Sequence, residues 1–393
     1  MEKPLALSGF VCPHSAVIAG RGHSITRWII ALVSLVVVGL VTAGMYKGYS
    51  HPYDAIVAAA HNEKALVVYS TLHDDTELAE LLNAFRREYP FITVHNTDGD
   101  AAWTYRRFTQ EVKEGRTSAD FLWGPAMDLQ EKLINDGYAQ PYSSPEMAYL
   151  PSWAHWKDLG YGVTLEPIAF VYNRKYLSTD EMPRTHSGLR DFLRHNVRRL
   201  RGHVAIYNPE RSEVGMLLLS QDARVTRDSW SLFDTFGQVD AVGYGTSNQM
   251  LNHIINGDQW IGYDAIASYA LEMRKTHPEL IVVYPSDYVL LMSRVAFISA
   301  RALHPNAARL FLDFLLSREG QTILKKHGMG SVRDDVGVPP EQSRLKMVRT
   351  QAIRIGPGLL ADLDSLVRAQ FLRRWPWLPS LSSETSTNDI TPP

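Results

Sequence analysis

From position 65 to position 326 the chain alternates short apolar runs with stretches whose apolar residues recur every three or four positions. Such alternation restricts a chain to an α/β architecture with a largely parallel sheet, because each apolar strand needs an amphipathic helix laid across it. The first series predicts strands over 66–69, 92–94 and 119–122. Its helices run from Ser70-Thr71 through Leu78, Leu81, Leu82 and Phe85, then over 103–112 and 128–134, with Pro90 and Gly137 as stops. A second series predicts strands over 167–172, 203–207, 259–262, 282–284 and 295–299. Its helices start at Ser212, cover 250–255 and 265–274, and end in one long element over 308–326.

Two such series in 393 residues predict two lobes, each with its own core. The apolar runs at 167–172 and 282–298 read as the chain crossings between them. The expected division is a first lobe over 62–168, a second over 169–283, a return to the first lobe with C-terminal helices over 284–379, and a disordered polar tail over 380–393. In open α/β sheets ligands bind beyond the carboxyl ends of the strands, so two facing lobes would share one interdomain cleft.

Ahead of these series lies WIIALVSLVVVGLVTA, residues 28–43, uncharged and preceded by Arg21 and Arg27. A positive stretch over 1–27, an apolar core and the small residues Val41-Thr42-Ala43 fit a secretory signal. An uncleaved membrane anchor fits as well, since a spanning helix needs roughly 17–25 apolar residues. Either reading exports the rest of the chain to the periplasm. The only cysteine, Cys12, precedes the apolar run, so the exported part can form no disulfide, thiolate metal site or cysteine nucleophile. A formal net charge of −2 gives no reason to expect a nucleic-acid partner. With no Gly-x-Ser-x-Gly elbow and no HExxH, an enzyme is not expected.

Five motifs carry a resemblance: LVVYSTLHDDTELAELLNAFRREYP at 66–90, ADFLWG at 119–124, PIAFVYNRKYL at 167–177, YNPERSEVG at 207–215 and HPNAARLFLDFLLSREGQTIL at 304–324. Together they resemble the type 2 periplasmic solute-binding proteins of ABC transporters. The similar branch includes ferric-ion-binding proteins and binders of phosphorylated sugars and phosphoglycerate. The resemblance implies a two-lobed fold that closes on a small solute, a monomer without cofactors, and ABC permease subunits as partners. A membrane-anchored sensor of the same fold, feeding a two-component kinase, and ferric-ion binding are the alternatives.

Ferric-ion binders of this kind use a histidine soon after the first strand, a carboxylate in the third-strand loop and two consecutive tyrosines. His73 matches the first. The third-strand loop reads Trp123-Gly124-Pro125-Ala126, and Tyr263 is followed by Asp264, so the remaining oxygen ligands are missing and no metal is expected. The anion logic is intact. A Ser or Thr at a helix start leaves backbone N–H groups and the positive end of the helix dipole facing outward, which suits phosphate or carboxylate. Ser70-Thr71 and Ser212-Glu213-Val214 both follow a predicted strand, and by resemblance both face the cleft. The expected ligand-binding residues are therefore Ser70, Thr71, His73, Trp123, Gly124, Ser212, Glu213, Val214, Tyr263, Asp264 and Arg294. Trp103 and Trp123 are candidates for stacking on a sugar ring. Arg106 and Arg107 read as a solvated helix face.

Overall fold

The computed structural model describes residues 52–72 and 78–375, and the architecture lies in the unit Ile56–Pro393. The apolar run at 28–43, the stretch before it, His73 and the tail from 380 lie outside the described residues.

Two mixed sheets organise the fold. The first holds β1 (Ala65–Ser70), β2 (Thr93–Asp98), β3 (Phe121–Gly124), β4 (His155–Trp156) and β5 (Gly160–Gly162). The second takes β6 (Glu166–Asn173), β7 (Val204–Tyr207), β8 (Val242–Tyr244), β9 (Ile261–Ile266), β10 (Leu280–Val283) and β11 (Val289–Met292). The chain then returns to the first sheet with β12 (Val295–Ile298) and to the second with β13 (Thr350–Ala352). The strand orders are β2-β1-β3-β12-β5-β4 and β13-β11-β6-β9-β7-β8, with β10 also on β6. In each sheet the parallel pairs, β2/β1/β3 and β8/β7/β9, come from the strand–helix alternation read in the sequence. β6 is buried at all eight positions, as an unbroken apolar strand flanked on both sides must be.

The helices are α1 (Pro52–Glu63), α2 (Ala79–Glu88), α3 (Ala101–Lys113), α4 (Met127–Asn135), α5 (His186–His195), α6 (Val197–Leu200) and α7 (Glu213–Val225). They continue as α8 (Ser229–Gln238), α9 (Ser247–Asn256), α10 (Ala267–Arg274), α11 (Pro305–Leu316), α12 (Arg318–Lys326) and α13 (Ser365–Arg374). α7 is buried on nearly all sides from Val214 to Ser220, which its run of leucines allows.

Three sequence expectations change. The helix expected to open at Ser70-Thr71 begins at Ala79; Ser70 is the last residue of β1, and its hydroxyl turns the chain by bonding Leu72. The single helix expected over 308–326 is two. Ser317 ends α11 with an extended backbone and caps α12, its hydroxyl accepting from the Gly320 N–H at 3.1 Å. Gly320 fits there because a Cβ would meet the Phe314 carbonyl oxygen at 2.1 Å.

The third change concerns the crossings. The sheets are joined at 163–165 and 293–294, with a longer third connection between β12 and β13, and the two short segments are bonded to each other: Val163 N–H to Arg294 carbonyl at 3.0 Å, and Arg294 N–H to Thr164 Oγ1 at 2.8 Å. The stretch 284–379 is thus only in part a return to the first lobe. β11 and β13 belong to the second sheet, and Phe371 of α13 and Trp375 just after it pack into the second-lobe core beside Phe233. Sequence periodicity carries no signal for which lobe a C-terminal helix covers.

Candidate functional site

Between the two lobes lies a cavity of about 430 Å³, within the range of small-ligand sites. The first lobe lines it with Thr71, the turn from Asp98 to Ala102, Arg106 and Pro125. The second lobe contributes Tyr207, Arg211 to Val214, Gly245 to Gln249, Ile266 and Tyr269.

Three helices start on this cavity. α3 follows β2, α7 follows β7 and α9 follows β8, so all three sit at the carboxyl ends of parallel strands. Each has a side-chain cap. Asp100 accepts from the Trp103 N–H, Ser212 from the Gly215 N–H at 3.0 Å, and Thr246 from the Gln249 N–H at 3.2 Å. A cap of this type satisfies only one of the orphan N–H groups of the first turn. The N–H groups of Ala101 and Ala102, Glu213 and Val214, and Ser247 and Asn248 have no backbone acceptor among the described residues, and all six residues line the cavity.

The charged groups divide unevenly. Arg106 and Arg211 face the cavity from opposite lobes, exposed, and neither has an ion-pair partner among the described residues. The acids are committed: Glu213 to Arg368 at 2.7 Å, Asp100 to its cap, and Asp98 to a partner of its own. On the second-lobe wall this leaves Arg211 as the charged side chain without an ion-pair partner among the described residues, while on the first Arg106 stands near Asp98 and Asp100. Tyr207 donates to or accepts from Ser247 Oγ at 2.5 Å, and burial pushes its phenol above the usual range, which disfavours a phenolate. Among the described residues no three His, Cys, Asp or Glu side chains gather as metal ligands.

Of the expected site residues, Thr71, Ser212, Glu213 and Val214 line this cavity. Ser70, Trp123, Gly124, Tyr263, Asp264 and Arg294 do not, and His73 lies outside the described residues. Trp123 is 1% exposed within the first sheet, and Trp103 lies over Gly99 and under Arg107, so neither ring is presented to the cavity. Tyr263 and Asp264 are buried in the second-lobe core. The Tyr263 hydroxyl donates to Asp222, as does that of Tyr288 at 2.9 Å, and burial with Asp222 nearby raises the Asp264 carboxyl well above its ordinary value. Asp264 also holds a left-handed backbone, φ 61°. Arg294, expected to meet an anion directly, is buried against Glu166 at 2.8 Å. The sequence reading missed Arg211, and it read Arg106, which lines the cavity, as a solvated helix face; it also missed Asp98 to Ala102 and Gly245 to Gln249, although both carry the strand–cap–helix signature that singled out Ser212.

The family model of the bacterial extracellular solute-binding proteins matches residues 66–330. The substrate binding protein of an ABC transporter from Agrobacterium tumefaciens is 33% identical, with 79% of this chain and 93% of that one covered and a TM-score of 0.74. An uncharacterized protein of Haemophilus influenzae is 24% identical over 294 residues, 70% of this chain and 79% of that one. Two structures share the fold at lower identity. The periplasmic binding protein AfuA from Actinobacillus pleuropneumoniae, with fructose-6-phosphate bound, is 19% identical (79% and 99% covered, TM-score 0.66). Iron-bound HitA from Pseudomonas aeruginosa is 18% identical (79% and 97% covered, TM-score 0.63). With the family model covering most of the chain and a solved relative at one-third identity, this chain belongs to the bacterial extracellular solute-binding proteins.

Proposed function

We propose that the chain is the periplasmic solute-binding component of an ABC transporter. In this reading it captures a small anionic solute, a phosphorylated metabolite, in the interlobe cavity and delivers it to permease subunits. One observation carries the anion: among the described residues, six helix-start N–H groups have no backbone acceptor and two arginines have no ion-pair partner, and all eight residues line one cavity. A phosphate offers enough acceptor oxygens to answer several such donors at once, and charge-assisted hydrogen bonds are the strong ones. The Agrobacterium relative supports the transporter role and fructose-6-phosphate in AfuA the ligand class. Export is supported by the family and by the apolar run at 28–43. Among the described residues no helix is long and apolar enough to cross a membrane.

Calorimetry with hexose phosphates, phosphoglycerates and their neutral parents tests the reading. The phosphorylated forms should bind and the parents far more weakly, because a site built for an anion leaves its donors unpaired without one. Arg211→Gln should cost about tenfold, the scale of a hydrogen bond to a charged group. Equal binding of charged and neutral forms would overturn the anion.

A further inference from the structure

Arg294 sits in the two-residue crossing from β11 to β12, 1% exposed and outside the cavity lining. Three of its five N–H donors meet side-chain acceptors among the described residues. Nε donates to Glu166 Oε1 at 2.8 Å and Nη2 to Glu166 Oε2 at 3.3 Å. Nη1 donates to Thr71 Oγ1 at 2.8 Å, and the guanidinium carbon lies 5.2 Å from the centre of the Tyr269 ring. Glu166 also accepts from Thr164 Oγ1 at 2.9 Å and from Ser268 Oγ. Burial opposes the charge on Arg294, and the Glu166 carboxylate more than restores it. Glu166 thus takes the Nε donor and one from Nη2, and Nη1 reaches Thr71 across the crossing. Thr71 of the first lobe and Tyr269 of the second both line the cavity.

The chemistry at Thr71 follows from donor counting. A threonine hydroxyl has one proton and two lone pairs, whereas a guanidinium only donates. Thr71 Oγ1 must accept from Arg294, so its single proton is directed elsewhere. No acceptor for that proton is present among the described residues, and the open side is the cavity.

We propose that Arg294 is a positioning residue. It fixes Thr71 as a hydrogen-bond donor to the bound solute, so that the solute atom at Thr71 must be an acceptor. The Tyr269 contact holds this arrangement to the second lobe. The inference rests on the anion reading of the cavity. Arg294 acts on the solute through Thr71 and not by neutralising it.

A double-mutant cycle decides the matter, with fructose 6-phosphate and inorganic phosphate as probes and thermal unfolding of the ligand-free proteins alongside. Thr71→Val should weaken the probe about tenfold and Thr71→Ser should restore it, since only the hydroxyl matters. Arg294→Lys keeps a cation beside Glu166 but lacks the second arm. It should lose about as much as Thr71→Val, and the double variant should be no worse than either single one. Multiplicative losses, or an Arg294→Lys protein that is less stable yet binds normally, would overturn the proposal while leaving the anion reading intact. Failure of the wild type to bind either probe would overturn both. A ligand-free readout stands beside these: side-chain nitrogen NMR should show slow exchange and restricted rotation of the Arg294 guanidinium, released in Thr71→Val. An unchanged spectrum in that variant counts against the proposal even if Arg294→Lys fails to fold.

Discussion

The two walls of the cavity use the same device with different caps. On the second-lobe wall α7 and α9 start with neutral hydroxyl caps, Ser212 and Thr246; the Glu213 that follows is paired with Arg368, and Arg211 has no ion-pair partner among the described residues. On the first-lobe wall α3 starts with a carboxylate, Asp100, and Asp98 stands two residues before it. A carboxylate at a helix start answers the dipole itself, whereas a hydroxyl cap leaves the positive end to be answered by a ligand. The same local geometry therefore gives two electrostatic results. On the proposed reading, the charged end of the solute sits against the second lobe, and Arg106 on the first wall works against its acidic neighbours.

The largest expected effect comes from deleting one donor on each wall. Val214→Pro and Ala102→Pro each remove the N–H of the second helical residue, a position in the first turn where proline is tolerated. Val214→Pro should weaken a phosphorylated ligand roughly ten- to a hundredfold, the scale of a hydrogen bond to a charged group. Ala102→Pro should cost only a fewfold. Equal losses in calorimetry would break the comparison, and a larger loss at Ala102 would reverse it.

How much of this was legible in sequence depends on distance along the chain. Ser212 was legible because cap, strand and helix are neighbours in YNPERSEVG. Thr246 and Asp100 carry the same local signature and were readable by the same rule. The Ser317 break was also local, with Gly320 three residues on as its mark. The pairing of Arg294 with Glu166 spans 128 residues, and its bond to Thr71 spans 223. No periodicity encodes either, so an arginine that serves the site from behind read as one that touches the ligand. Trp123 failed for a related reason: an aromatic at a strand end reads alike whether its ring faces the cavity or the sheet core.

The support behind the walls differs too, and pH should expose it. α4, which continues the first-lobe wall beyond Pro125, packs against α7 and the turn Pro357–Leu363 with two buried carboxyls. Asp128 is pushed up to about 7 by burial, then by Glu213 and Asp362; only Oδ1 finds a partner, the Leu129 N–H. Glu131 is raised to about 7 by burial, offset in part by the Gly356 N–H and Lys157. Unfolded, these groups would titrate near 3.8 and 4.5. The folded protein then holds more protons than the unfolded one between those values and about 7, so these groups lower stability as pH rises through that window. An Asp128→Asn, Glu131→Gln protein should melt a few degrees higher at pH 8 and nearly unchanged at pH 4, on the scale of about 2–4 °C per kcal/mol for chains of this class. A gain of the same size at both pH values would mean that packing, and not ionisation, is responsible.

The smallest effect should come from the caps themselves, and it separates a cap from a ligand contact. Ser212 is 4% exposed and its hydroxyl oxygen already accepts from the Gly215 N–H, so its part in holding α7 is made without ligand. Thr246 does the same for α9 through the Gln249 N–H. Replacing either with alanine should cost about 1 kcal/mol of stability, the ordinary worth of such a cap. Affinity has two opposed terms. The helix start loosens, but the freed N–H becomes one more donor for an anion, so the net change should stay within about threefold. Gly215 offers the contrast, because a Cβ there would meet Tyr207 Cβ at 2.3 Å and push the start of α7 away from β7. Gly215→Ala should therefore lose more affinity than Ser212→Ala although it removes no polar group. Should Ser212→Ala lose a hundredfold while melting normally, its hydroxyl touches the solute directly, and the donors on the second-lobe wall include a side chain as well as the backbone.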